Sequence, residues 1–205
     1  MLTRATAALS LIATLTVARV ASAQTATAVF AGGCFWGIEG VFEHVKGVVS
    51  ATAGYAGGTV ASPSYELVSS GATGHAESVR VEYDASQVSY ELLLEVFFTV
   101  AHDPTERNRQ GPDVGTQYRS IVFYGDTAQE KAVQAYVAKL TAAHAYPAPI
   151  VTEIVPRGAF YPAEQYHQHY MELHPYAPYI VYNDAPKVRN LKKQFPSLYR
   201  EPPKL

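Results

Sequence analysis

Apolar and polar positions alternate along the chain with two different periods, and the switches between them mark out its elements. Thr25 to Ala31 is a run of strand length. From Cys34 onward, Phe35, Ile38, Val41, Phe42 and Val45 recur at the spacing of a helix with one buried side. Val48 to Tyr55 predicts a second strand, stopped by Gly57-Gly58, and a loop rich in Ser, Gly and Pro runs on to about Gly74. Ala76 to Tyr83 alternates strictly: Glu77, Val79, Val81 and Tyr83 share one face, and Ser78, Arg80 and Glu82 take the other. One face of that strand is therefore buried. Ser89 predicts an N-cap, and Leu92, Leu93, Val96, Phe97 and Val100 the buried side of the helix behind it, ended by His102-Asp103-Pro104. A polar loop, Thr105 to Thr116, leads to a strand from Gln117 to Tyr124. Thr127 and Glu130 have the spacing of a capping box, for a helix carrying Ala132, Val133, Tyr136, Val137 and Leu140 on one side. Ile150 to Val155 predicts a further core strand, and Pro162 the first turn of another helix through about Leu173.

The core order is strand, helix, two strands, helix, strand, which is that of a split βαβ unit. It predicts an α/β (α+β) architecture: a mixed sheet with helices packed mainly on one face, a ferredoxin-like core, and added elements after it.

Composition changes this picture at the two ends. Met1 to Arg4 is a short positive start, Ala5 to Val17 is mostly apolar and uncharged, and Ala21-Ser22-Ala23 has the small-residue pattern of a signal-peptidase site. The apolar run is short for a bilayer span. Residues 1–23 therefore read as a signal peptide cleaved near Ala23, giving an exported protein, periplasmic or secreted, with no stable membrane insertion. A buried N-terminal helix or a retained anchor is the other reading. The remaining residues, 24–205, suit one catalytic domain with a basic C-terminal extension from about residue 185. Hydrophobic residues at 48% and charged residues at 17% describe an ordinary globular protein. Without Arg4 and Arg19 the basic count is 14 against 18 acidic residues, a net charge of −4 that gives no nucleic-acid footprint. Lys187, Arg189, Lys192 and Lys193 form the one basic cluster, which reads as a solvated helix face. Nothing demands an oligomer, and a monomer is expected.

The chain has one cysteine. A lone thiol in an exported protein is either well buried or kept for its reactivity. Ala31-Gly32-Gly33-Cys34-Phe35-Trp36-Gly37 sits where a strand turns into a helix. The glycines allow a tight turn. Cys34 at a helix N-terminus should have its pKa lowered below about 8.5. Phe35 and the only tryptophan, Trp36, offer aromatic faces for a small apolar group such as an S-methyl. Phe35 also fits the core side of its helix, whereas Trp36 falls off the Ile38, Val41, Val45 face. Glu77 is the second unusual residue. Among apolar neighbours its pKa should rise, making it a proton donor near neutral pH. The alternative is a salt-bridged strand end paired with Arg80 or Arg119.

Gly33-Cys34-Phe35-Trp36-Gly37 resembles the signature of the A-type peptide-methionine sulfoxide reductases, which act on the S epimer. Ala53-Gly54-Tyr55-Ala56-Gly57-Gly58, Pro63-Ser64-Tyr65, Gly71 to Glu77, His102-Asp103-Pro104, Arg109 to Ser120 and Glu164-Gln165-Tyr166-His167-Gln168 come in that family's order. The resemblance covers roughly Thr27 to Tyr182. It implies that Cys34 is the nucleophile and that Glu77 protonates the sulfoxide oxygen. Tyr65 and Tyr118 would donate hydrogen bonds to that oxygen, Phe35 and Trp36 would hold the methyl group, and Asp113 would support the substrate. No chemical step is assigned to His167. Attack leaves a Cys34 sulfenic acid, with no metal or organic cofactor. Many members of the family carry further cysteines that resolve this acid as a disulfide, and here there are none. An external reductant is implied: a small thiol, a thioredoxin-like protein or a glutaredoxin-like protein. The substrate would be oxidised proteins or free methionine sulfoxide.

Rival readings are a one-cysteine peroxidase, a Cys–His hydrolase, a non-catalytic binding protein and a metal-binding module built on His167, His169 and His174. For the last, helical spacing places His167 and His169 on different sides and His174 two turns from His167.

Overall fold

The computed structural model describes residues 25–202, so the signal peptide expected over residues 1–23 lies outside the described residues. The elements in chain order are β1 (Thr25–Ala31), α1 (Phe35–Glu43), β2 (Val48–Ala56), α2 (Tyr65–Ser69), β3 (Ala76–Asp84) and α3 (Tyr90–Val96). α3 runs into a π-helical turn, Phe97–Ala101. Then come the two-residue strands β4 (Arg109–Gln110) and β5 (Asp113–Val114), β6 (Ile121–Tyr124), α4 (Thr127–Ala142), β7 (Glu153–Pro156), β8 (Phe160–Pro162), α5 (Tyr170–Leu173) and α6 (Ala185–Gln194). Among the described residues no helix is long and apolar enough to cross a membrane.

The main sheet has the order β7-β6-β1-β3-β2-β8. Its four central strands, β6-β1-β3-β2, pair antiparallel throughout. This is the split βαβ arrangement expected from the element order, with β7 added parallel to β6 and β8 antiparallel to β2. The mixed α/β class therefore stands as read. The larger core lies on the face to which Phe30, Ala53, Tyr55, Val79 and Val81 point, against Ile38, Phe42, Leu93 and Phe97 of the helical layer. The other face carries a small cluster of Val29, Ala31, Ile121 and Phe123.

Several expectations need correction. The strand foreseen from Gln117 begins only at Ile121, because Thr116–Tyr118 forms a 3₁₀ turn. The capping residue of α4 is Asp126, one before Thr127. Its Oδ1 accepts from the Gln129 N–H at 2.9 Å, while Gln129 Oε1 accepts from the Gly125 N–H. Ser89, by contrast, caps α3 as expected, accepting from the Leu92 N–H. Pro162 ends a strand instead of starting a helix. The chain then makes a 3₁₀ turn, Gln165–His167, and enters α5, with His169 between them at φ 54°. The backbone breaks there because it serves other elements. Gln168 bonds both backbone groups of Ala53 through its amide, and the His169 N–H donates to Glu39 Oε2 at 2.8 Å. The three histidines therefore do not share a helix, and His169 turns to Glu43. The C-terminal segment packs on the helical layer. α6 buries Leu191 against α1, and Tyr199 bridges to Val45.

Candidate active site

β1 delivers the chain through Gly32-Gly33 into α1. Gly33 has φ +99°, and a Cβ there would lie 2.6 Å from Gln110, so only glycine takes this turn without displacing the β4 side chain. Cys34 is the N-cap residue of α1 and is 8% exposed. Glu77, on β3, is 1% exposed and faces the same core as Val79 and Val81. Its Oε2 accepts the Phe35 N–H at 3.0 Å. The orphan donor of the first helical turn thus fixes the carboxyl group beside the thiol.

The salt-bridge alternative for Glu77 does not hold. Arg80 pairs with Glu82, and Arg119 with Glu153. Burial pushes the Glu77 carboxyl up to about 8, Asp113 and Asp184 add to this, and the Phe35 N–H offsets part of it. This is the expected direction.

For Cys34 the direction is opposite to expectation. A helix N-terminus by itself would hold the thiol below its free value. Burial instead pushes it well above, with Glu77 and Asp184 in the same sense, and the Trp36 N–H and Lys187 offset only part. Desolvation of a thiolate outweighs the few backbone donors that a helix end supplies.

One cavity gathers every residue singled out in the sequence: Cys34, Phe35, Trp36, Tyr65, Glu77, Asp113 and Tyr118. They arrive from five places in the fold, namely the start of α1, α2, β3, β5 and the 3₁₀ turn. Because Tyr118 lies in that turn and not in a strand, its ring reaches the cavity. Burial and Glu77 push the phenols of Tyr65 and Tyr118 upward, so both stay protonated donors. Asp113 accepts from the Tyr179 hydroxyl.

Phe35 is buried and Trp36 half-buried, so Phe35 serves core and cavity together. The Trp36 ring stacks on Tyr170, with centroids 3.7 Å apart and planes 8° apart, and meets Tyr179 edge-on. Its indole N–H donates to His167 Nδ1 at 3.1 Å. His167 thus orients the tryptophan, and burial lowers its own pKa. Tyr170 and Tyr179 also line the cavity, and the sequence reading missed both. Tyr170 lies three residues past His167, the one usable signal. Tyr179 had none among 15 tyrosines.

A thiol and a carboxyl group in one cavity lose their protons in two coupled steps. With both protons on, the sulfur is a thiol and does not attack. With one lost, the remaining proton is shared between the carboxyl group and the sulfur, and the form with a thiolate beside a carboxylic acid is the one that reacts. With both lost, no acid remains. For the free enzyme kcat/KM is therefore expected to rise with pH until about 8, where the first proton leaves. It should fall only on the far alkaline side. A pH profile at subsaturating methionine sulfoxide checks this, and a maximum near pH 6 contradicts it.

Residues 26–198 match the profile of the family described as peptide methionine sulfoxide reductase. The chain is 58% identical over 179 residues to peptide methionine sulfoxide reductase MsrA 2 of Mesorhizobium japonicum, covering 87% of this chain and 92% of that protein. It is 54% identical over 171 residues to MsrA of Halobacterium salinarum, covering 83% and 96%. Among solved structures, methionine sulfoxide reductase A of Corynebacterium diphtheriae superposes with a TM-score of 0.66 at 38% identity, covering 77% of this chain and 80% of that one. Reduced Mxr1 from Saccharomyces cerevisiae gives 0.67 at 34%, covering 75% and 87%.

Proposed function

Because the chain belongs to the peptide methionine sulfoxide reductase family and reduces methionine sulfoxide to methionine, we propose that Cys34 is the nucleophile and Glu77 the acid. The observation that carries this is the Phe35 N–H to Glu77 bond, which holds a buried carboxyl group in the cavity that Cys34 lines. The thiolate attacks the sulfoxide sulfur while Glu77 protonates the oxygen, and Tyr65 and Tyr118 donate to it as charge develops. Methionine departs, the oxygen stays on Cys34 as a sulfenic acid, and Glu77 recovers its proton from solvent. Phe35 and Trp36 form the wall for the S-methyl group, and Asp113 holds Tyr179 against it. We take the S epimer as the substrate form, as the resemblance to the A-type reductases implies.

With one cysteine in the chain, recycling falls to an external thiol. A first thiolate displaces hydroxide from the sulfenic acid, water forms, and a mixed disulfide results. A second thiolate then releases Cys34 and carries off the disulfide. A small thiol, a thioredoxin-like protein or a glutaredoxin-like protein serves equally in this scheme, and neither a metal nor an organic cofactor enters it. We further propose that the protein acts as an exported monomer, with residues 1–23 removed as a leader. The pattern Ala21-Ser22-Ala23 supports this.

Mixing the enzyme with a peptide methionine-S-sulfoxide and no reductant should give one methionine per chain and a Cys34 adduct with dimedone, both read by mass spectrometry. Adding a thiol should restore turnover. Faster reduction of the R epimer, or methionine formed without an oxidised Cys34, would overturn the assignment.

A further inference from the structure

Cys34 is reached through two openings. One is the aromatic cavity. The other is smaller and polar, and Gln110, Asp113, Tyr179, Asn183 and Lys187 line it together with the cysteine. Lys187 is the only cationic side chain on either opening among the described residues.

Its placement is specific. Asp184 is fully buried, and its Oδ1 accepts from Lys187 Nζ at 3.1 Å. The pair packs on the first turn of α1: a Cβ on Gly37 would come within 2.1 Å of Asp184 Oδ1 and 2.7 Å of Lys187 Nζ. Asp184 Oδ2 has no hydrogen-bond partner. Lys187 stands inside a continuous helical run, because the π-helical turn Ile180–Asp184 leads directly into α6, and this run sets Lys187 three residues past its anchor Asp184.

We propose that Lys187 is a positioning residue of the reductase reaction, its ammonium anchored by Asp184 at the polar opening, where it stabilises the Cys34 thiolate. That thiolate is needed twice, as the attacking group and as the group released when a reducing thiol cleaves the mixed disulfide.

The charges around the sulfur leave this task to Lys187. Glu77 comes from β3, Asp113 from β5 and Asp184 from the turn before α6, and the phenols of Tyr65, Tyr118 and Tyr179 complete the surroundings. Glu77 and Asp184 push the thiol upward, and among side chains Lys187 draws it down. Facing Lys187 itself are Asp184 and the buried imidazole of His102, which burial holds down at about 4 and hence neutral.

The test follows alkylation of Cys34 by iodoacetamide against pH, in the full chain and without substrate. Lys187→Met and Lys187→Gln should each raise the apparent thiol pKa by about one unit. Alkylation at neutral pH should then slow by about tenfold and recover on the alkaline side. Lys187→Arg should stay near wild type. A thiol pKa unmoved in a folded Met or Gln variant overturns the proposal, and so does an Arg variant displaced as far as the Met variant. This inference deepens the reading of Cys34 as nucleophile. Alkylation needs no turnover, so its failure is distinct from a failure to reduce sulfoxide.

Discussion

Replacing Cys34 by Ser is expected to abolish methionine formation, with a loss on the order of 10⁴-fold or more. The two side chains are close in size, and Cys34 is nearly buried at an N-cap position, where Ser is a favoured residue. The fold should therefore survive. The chemistry cannot. Accepting the sulfoxide oxygen takes a sulfur atom to a sulfenic acid, an oxidation level that a thiol reaches and a second thiol reverses. The same transfer to a serine oxygen would require a hydroperoxide. No other cysteine is present to substitute. Methionine release and thermal unfolding, measured on the same preparation, check the pair of expectations. Activity within tenfold of wild type would remove Cys34 from the mechanism.

Glu77→Gln is expected to slow formation of the sulfenic acid by about 10²- to 10³-fold, the usual worth of a positioned acid. The amide keeps an oxygen to accept the Phe35 N–H and has no proton to give away at any useful pH. Stability should move the other way. A carboxyl group held at about 8 in the folded protein ionises near 4.3 when unfolded. Between these values the folded state binds the extra proton, so wild-type stability falls as pH rises. The amide has no such dependence. The Gln variant should therefore gain on the wild type steadily from about pH 4 to about pH 8 and be the slower enzyme throughout. Single-turnover sulfenic acid formation and the melting temperature across that range check both directions. An active variant would remove Glu77 as the acid, and a parallel pH dependence of melting would mean that it is not buried as a neutral group.

The comparison of Glu77 with Cys34 shows where local reading works. The parity of β3 places Glu77 among Val79, Val81 and Tyr83, and the sign of its shift comes from that alone. The Cys34 thiol also has a local cue, the helix N-terminus, but its sign is set by burial in the tertiary structure, with Glu77 and Asp184 acting in the same sense. The basic run near the C-terminus misleads in the same way. Arg189, Lys192 and Lys193 are exposed, as a charge run suggests, whereas Lys187 is folded back onto Gly37 by Asp184.

β1, β3, α1 and α3 were legible in the amino-acid sequence, as were the order of the split βαβ core and the seven residues that converge on one cavity. An element long enough to bury a single face carries its period in its own residues. Tertiary structure decided the rest. The helix α2 is five residues long with only Val68 buried, too short to show a period. The break at His169 is imposed by bonds to Glu39 and Ala53, more than a hundred residues away. Tyr170, Tyr179 and Lys187 acquire a role only because α5, α6 and the turns before them close over α1. Distance through space, which no local pattern encodes, sets both the aromatic wall and the field at the sulfur.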